Sequence, residues 1–174
     1  MRTGAFTLTL LAALTSAAAE QSHEEAEAAE AATNWSQVAS RMGEAKISLA
    51  QGVAAAEKEG KPISAKFEVE GNALQLSVYV QKGDGFSEVV VDHKTGQVAK
   101  SEPITGGEDL TAAKQQAAAM AKTKHSLRDV IASAEKSHAS YHAVSALPEI
   151  EHGTAQADMV LLKGTATKHF DQKL

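Results

Sequence analysis

Residues 48–58 read SLAQGVAAAEK, and residues 126–136 repeat the pattern as SLRDVIASAEK, 78 positions further along the chain. Each copy is followed by alternating, turn-punctuated sequence that is typical of β-hairpins. Self-similarity at a fixed offset indicates a repeated supersecondary unit. The repeat therefore predicts a duplicated architecture, in which a short helix opens each copy and strands complete it.

Both copies carry the same signals for the start of a helix. Ser48 and Ser126 stand where a helix N-cap is expected, and each is followed by apolar residues at helical spacing. The stripes are Leu49, Val53 and Ala56 in the first copy and Leu127, Val130, Ile131 and Ala134 in the second. Two further helices are predicted, over 34–42 and over 108–121. The first is expected to dock through Trp35, Val38 and Met42 and to end at Gly43.

The apolar period changes from 3.6 to 2 after each repeated helix. Tight glycine-containing turns separate the alternating runs, which predicts antiparallel strands. Alternation of this kind also predicts a sheet with one face on a helix and one face in water. The predicted strands are 63–70, 74–80, 86–91 and one beginning at Val98 in the first copy, and 141–147, 155–162 and 167–170 in the second.

These elements predict an α+β fold of two tandem units, each with helices packed on an antiparallel β-meander. Four segments are expected along the chain. They are a signal peptide over 1–19, an acidic, helical leader over 20–45, a first unit over 46–104, and a helix plus second unit over 105–174. A unit of about 60 residues buries only about 60% of its unfolded surface. The two units are therefore expected to pack together.

The first residues have the features of a cleaved export signal. Arg2 supplies a positive start, residues 6–14 are apolar, and residues 17–19 are alanines that suit a signal peptidase. The apolar run is too short to cross a bilayer, which takes about 20 residues. We therefore expect a periplasmic or secreted protein without membrane insertion after cleavage.

Charge and cysteine content exclude several classes of function. Without Arg2 the chain keeps 16 basic residues against 22 acidic ones, which disfavours nucleic acid and anionic membranes as partners. The absence of cysteine excludes disulfides, thiol catalysis and thiolate metal sites. No nucleophile elbow, phosphate loop or dinucleotide fingerprint occurs, so neither an enzyme nor a cofactor is expected.

Residues 46–100 resemble the PepSY domain family. The resemblance rests on the helix opening at 47–57, the alternating strand at 63–70, and VDHKTGQV at 91–98, which matches the family's terminal hairpin. The second copy keeps the helix opening but has KHFD at 168–171 and no Thr-Gly turn. Its likeness to the family depends mainly on the internal repeat.

The resemblance implies a non-enzymatic binding protein. PepSY domains occur in propeptides of thermolysin-like metallopeptidases, which they help restrain, and in many exported proteins of unknown role. A protein or peptide partner is therefore implied, with a peptidase as the candidate. The tandem layout is also similar to the beta-lactamase-inhibitor-protein architecture, but likeness of fold does not establish function.

The outward side of two predicted strands is the candidate partner site. Exposed edges and wet sheet faces can accept an extended peptide, and Tyr79 stands out because its neighbours in the alternation are polar. The alternative is that this face packs against the second repeat. The candidate residues are Gln75, Ser77, Tyr79, Ser87 and Glu88.

Histidines provide a second hypothesis of a different class. His138 and His142 are four apart, which would place two imidazoles on one helix face, as metal sites require. They are weak candidates, since His138 near a helix end is equally explained by its charge–dipole interaction. The alternative function is thus a periplasmic metal- or small-ligand-binding accessory protein that uses the His-rich second unit. A scaffold that serves only assembly is a third reading.

Overall fold

One antiparallel sheet of seven strands organises the chain, in the order β4-β3-β2-β1-β5-β6-β7. The structure is a computed structural model, and it describes residues 34–174. The predicted signal peptide and most of the acidic leader lie outside this range. The strands are β1 (Lys61–Glu70), β2 (Ala73–Lys82), β3 (Gly85–Val91), β4 (Val98–Ile104), β5 (His142–Glu151), β6 (Thr154–Lys163) and β7 (Ala166–Lys173).

In the described part of the chain, four helices accompany the sheet. The first, α1, is described over residues 34–41 and continues into a short 3-10 turn at Met42–Glu44, so the α-helix ends before Gly43. The others are α2 (Leu49–Ala56), α3 (Gly107–Met120) and α4 (Leu127–Ser137). Among residues 34–174, none of the helices is long and apolar enough to span a membrane.

The repeated sequence folds into the same local structure twice. Ser48 accepts a 3.2 Å hydrogen bond from the backbone N–H of Gln51, whose side chain accepts a 2.8 Å bond from the N–H of Ser48. Ser126 and Asp129 form the same reciprocal pair at 3.2 and 2.9 Å. These capping boxes satisfy N–H groups that a helix end leaves unpaired, and the predicted starts of α2 and α4 are confirmed.

The prediction of two tandem helix-on-meander units is wrong. β1 and β5 pair directly, with Ala65 opposite Ala146 and Lys66 opposite Ser145, so the strands of both copies form one continuous sheet. The physical reason is that each copy begins its meander with a strand, β1 or β5, whose outer backbone groups would otherwise be unpaired. Pairing β1 with β5 satisfies these groups and buries both alanines completely.

The main core lies between one face of this sheet and the pair α2 and α4. Trp35 and Met42 flank this core and Val38 is fully buried in it, which confirms that α1 docks through these three residues. The core also contains Leu49, Val53, Phe67, Leu76, Val78, Ile131, Met159 and Leu161, all at most 1% exposed.

The opposite face of the sheet is also covered, which corrects the expectation of a wet face. There α3 lays Leu110, Ala113 and Ala117 against Ile63 and Phe86. The alanine-rich sequence of α3 has only a weak apolar stripe, so little in the sequence indicated that this helix covers a sheet face. The position of α3 depends on where β1 and β5 meet, which is a long-range contact. Helices therefore lie on both faces, with α2 and α4 on one and α3 on the other.

Candidate functional site

The predicted partner surface on β2 and β3 is divided between the two sheet faces. Tyr79 is opposite Glu88 in the ladder, and both lie on the α3 face with Gln75 and Ser77. Ser87 is opposite the fully buried core residue Val80 and therefore lies on the α2–α4 face. Because successive strand residues point to opposite faces, Ser87 and Glu88 do not belong to one surface.

Ser77 is the centre of a buried hydrogen-bond network. Its hydroxyl lies 2.7 Å from Glu68 Oε1 and 2.7 Å from Glu88 Oε1, and it accepts a 3.0 Å bond from Gln75 Nε2. A serine hydroxyl has one proton, so it donates to only one of the two carboxyl groups at a time. Since Ser77 is fully buried, this part of the predicted surface is occupied by the protein's own contacts.

Tyr79 supports the packing of α3. The ring is half-buried against the cluster of Ile63, Phe86 and Leu110, and burial raises the pKa of its hydroxyl, with Glu88 and Glu68 adding to the effect. A cavity of about 130 Å³ lies beside it. That space suits a few water molecules rather than a peptide side chain with its backbone. The lining residues are Lys66, Tyr79, Asp109, Ala112, Gln116 and Leu147.

His138 and His142 do not share a helix face. His138 follows the end of α4, where its Nδ1 lies 3.0 Å from the carbonyl oxygen of Ala134 and its ring lies 4.4 Å from that of Phe170. His142 begins β5 beyond a chain reversal at Ser140, which has a positive φ of 70°. Within residues 34–174, no three His, Asp or Glu side chains are grouped so that they could hold a metal ion.

The hairpin that resembles the family turn positions the entry to α2. Asp92 Oδ1 accepts bonds of 2.8 and 2.9 Å from the backbone N–H groups of Lys94 and Thr95. The bonds from Thr95 and Lys94 lower the pKa of Asp92. The next carbonyl, that of His93, accepts a 2.8 Å bond from Lys46 N and a 3.3 Å bond from Ile47 N. Asp92 is thus a turn residue, and the carbonyl of His93 beside it anchors the segment before Ser48.

The two outer strands of the sheet differ in how they are protected. β4 contains Pro103, which lacks an N–H group, and an ion pair of 2.6 Å between Lys100 and Glu102. Proline and charge on an edge strand hinder the addition of another strand. β7 is also charged, at Lys168, Asp171 and Lys173, but it contains no proline, and none of the other strands in residues 34–174 pairs with its outer edge.

The register of β7 shows which backbone groups face outward. Leu174 N donates a 3.2 Å bond to Ala155 O, and the pairing with β6 continues without a shift back to the turn. Antiparallel residues alternate between bonded and non-bonded pairs. Because Leu174 bonds inward, the residues at odd positions direct their N–H and C=O groups away from β6. These residues are Thr167, His169, Asp171 and Lys173, and all four are exposed.

A larger groove lies on the α2–α4 side, at the end of the sheet where β5 begins. Its volume is about 630 Å³, within the range of small-molecule sites. Residues 39–49 form one wall, and the start of β5, the end of β6 and the turn at Gly164 and Thr165 form the other. Sequence reasoning did not find this groove, because its walls come from segments about 100 residues apart.

No protein-family model, curated protein or solved structure matches this chain. The resemblance to PepSY domains therefore stays a prediction. The geometry of residues 34–174 offers two features for interaction, the outer edge of β7 and the groove beside α1.

Proposed function

We propose that the protein is an exported, non-enzymatic binding module that adds an extended segment of a partner protein to the outer edge of β7. The observation that supports this proposal is the row of outward backbone groups on that strand, with which no other strand of residues 34–174 pairs. The PepSY resemblance makes a peptidase the candidate partner, and restraint of that peptidase is the candidate outcome.

The sheet itself offers a comparison for this edge. Two further strands follow on each side of the β1–β5 pair, β2 and then β3 on one side, β6 and then β7 on the other. β3 and β7 therefore hold equivalent positions in the sheet. β4 pairs with the outer edge of β3 over Phe86–Val91, whereas β7 has no such neighbour among the described strands. An incoming strand antiparallel to β7 would occupy the place that β4 occupies beside β3.

The chemistry of the edge selects an extended chain rather than a helix or a small molecule. Four residues, Thr167, His169, Asp171 and Lys173, present outward N–H and C=O groups at strand spacing, and a second strand satisfies them together. The backbone bonds supply affinity without strong dependence on sequence. Side chains on either face of the ladder would supply selectivity, among them the exposed Lys168 on one face and His169 on the other.

A proline scan of the edge tests this proposal. Asp171→Pro removes one outward N–H and leaves the bonds of Gln172 and Phe170 to β6 in place. Asp171→Asn is the matched control, because it removes the charge and keeps the N–H. A partner recovered from periplasmic extract should bind the parent and the Asn variant equally, and the Pro variant about fivefold or more weakly, since a lost hydrogen bond in a ladder contributes about 1 kcal/mol or more.

Trp35 provides a local readout. It is the only tryptophan of the chain, and its ring lies 6.1 Å from that of His169 on β7. Partner binding should change its fluorescence and protect the amides of His169 and Asp171 from hydrogen exchange. Protection confined to β4, or equal binding by the Pro variant, would contradict the proposal.

Two further outcomes are informative. Recovery of a peptidase whose activity falls on addition of the protein would support restraint, and unchanged proteolysis in the extract would count against it. Sedimentation at several concentrations would show whether a second copy of the chain occupies the edge. Self-association that Asp171→Pro abolishes, without any other partner, would replace the heterologous partner with a homodimer.

A further inference from the structure

We infer that the groove beside α1 is a binding site for an amphipathic carboxylate, that is, a hydrocarbon chain with an anionic head group. This inference is independent of the proposed role of β7. It rests on the volume, the lining and the charge of the groove, and on the way its wall is held in place.

The lining suits a hydrocarbon chain. Nine of its 16 residues are apolar, and Leu49, Phe67, Val144 and Leu162 among them are at most 4% exposed as residues of the core. Transfer of a methylene group from water to such surroundings contributes about 0.8 kcal/mol. The apolar lining residues are Ala39, Met42, Ala45, Ile47, Leu49, Phe67, Ala143, Val144 and Leu162.

The charge of the rim selects an anion. Among the described residues, Lys46 and His142 are the only titratable ones in the lining, and both are exposed. Within residues 34–174, no Asp or Glu lines the groove, although the chain has 22 acidic residues against 17 lysines and arginines. None of the ion pairs within residues 34–174 involves Lys46. A cationic rim on an acidic protein is complementary to a carboxylate.

The same lining disfavours a polypeptide. A peptide in the groove would bring buried N–H and C=O groups that need partners, and each unpaired group costs about 1–3 kcal/mol. The polar side chains of the lining are few, and the hydroxyl of Ser48 already accepts the capping bond from Gln51. A fatty carboxylate has polar atoms only at its head, where Lys46 lies.

The wall that carries Lys46 is preformed. The backbone N–H groups of Lys46 and Ile47 both donate to the carbonyl of His93. These bonds fix the segment between the 3-10 turn and α2. Ser48 then starts α2 with a complete capping box. A ligand therefore meets a fixed apolar floor and a lysine whose backbone is held in place, so little ordering of the backbone accompanies binding.

Titration of the purified protein with palmitate, below its micellar concentration, tests the inference. We expect saturable binding of one palmitate per chain, and weaker binding of hexadecanol, which has the same chain without charge. Lys46→Gln should weaken palmitate binding about tenfold, as loss of a charge-assisted hydrogen bond does. The exposed Lys82 lies outside the groove, so Lys82→Gln is the matched control and should bind as the parent does.

A second variant fills the groove instead of changing its charge. Ser40 is exposed on its rim, so Ser40→Trp should fold and obstruct entry, while Ser101→Trp on the exposed edge of β4 serves as its control. Absence of palmitate binding by the parent, or binding unaffected by both Ser40→Trp and Lys46→Gln, would overturn the inference. Asp171→Pro should leave palmitate binding unchanged, which separates this test from that of the β7 edge.

Discussion

The hydroxyl of Ser64 donates a 2.6 Å hydrogen bond to the side-chain oxygen of Gln116. Ser64 is fully buried on β1, and Gln116 is half-buried on α3. This bond joins residues 52 positions apart and ties α3 to the sheet face opposite α2 and α4. It lies on the sheet face that strand alternation predicted to be in water and that the alternative prediction packed against the second repeat.

The two ends of this bond should respond differently to substitution. Gln116→Ala leaves the buried hydroxyl of Ser64 without a partner, which costs about 1–3 kcal/mol of unfolding free energy. Ser64→Ala leaves the half-exposed amide of Gln116 within reach of water, so a smaller loss is expected. Denaturant unfolding of both variants checks the order, and an equal or reversed order would show that the hydroxyl finds another acceptor.

Gly52 allows α2 to approach β2 closely. A Cβ atom at this position would overlap Cδ2 of Leu76 and lie 3.1 Å from its Cγ, and Leu76 is fully buried. Gly52→Ala should therefore lower stability by about 1–3 kcal/mol, although alanine favours the helix itself by about 1 kcal/mol.

Gly43 offers the matched control for this substitution. It lies in the 3-10 turn, and a Cβ there would meet no atom within 4 Å. Gly43→Ala should be neutral or stabilising in the same thermal melts. A stabilising Gly52→Ala would mean that Leu76 changes its position without loss of packing.

Asp158 should make stability depend on pH in a defined direction. Its burial on β6 raises the pKa of its carboxyl above the ordinary value, although His169 acts in the opposite sense. A raised folded-state pKa means that the charged form destabilises the fold at neutral pH, and that this cost disappears as pH falls through that pKa.

Asp158→Asn should therefore raise the melting temperature at pH 7, and the gain should shrink as the pH is lowered into the acidic range. Asp84→Asn, in an exposed turn, controls for the loss of one negative charge. A gain that stays constant at all pH values would indicate that packing of the amide, not burial of charge, is responsible.

A single sheet predicts a single unfolding transition. The β1–β5 ladder and the contact between α2 and α4 connect the two copies of the repeat, so neither should unfold alone. Fluorescence of Trp35 on α1 and the far-ultraviolet circular dichroism of the whole chain should give the same midpoint in urea. Two separated midpoints would show that the copies are independent folding units.

Local elements were predictable because their causes lie within a few residues. The capping boxes at Ser48 and Ser126 need only residues three positions on, and the hairpins need only their turns. The assignment of Ser87 to one surface with Glu88 was wrong for a local reason too, since period-2 alternation alone separates consecutive residues.

By itself the sequence determined the repeat, the helix starts and the antiparallel hairpins, because these depend on short-range hydrogen bonds and apolar periodicity. Only the tertiary structure decided that β1 and β5 join the copies in one sheet, that α3 covers its second face, and that Lys46 and His142 meet at one groove. The reason is that such contacts depend on which surfaces bury each other best over long separations, and periodicity within a segment carries no information about its distant partner.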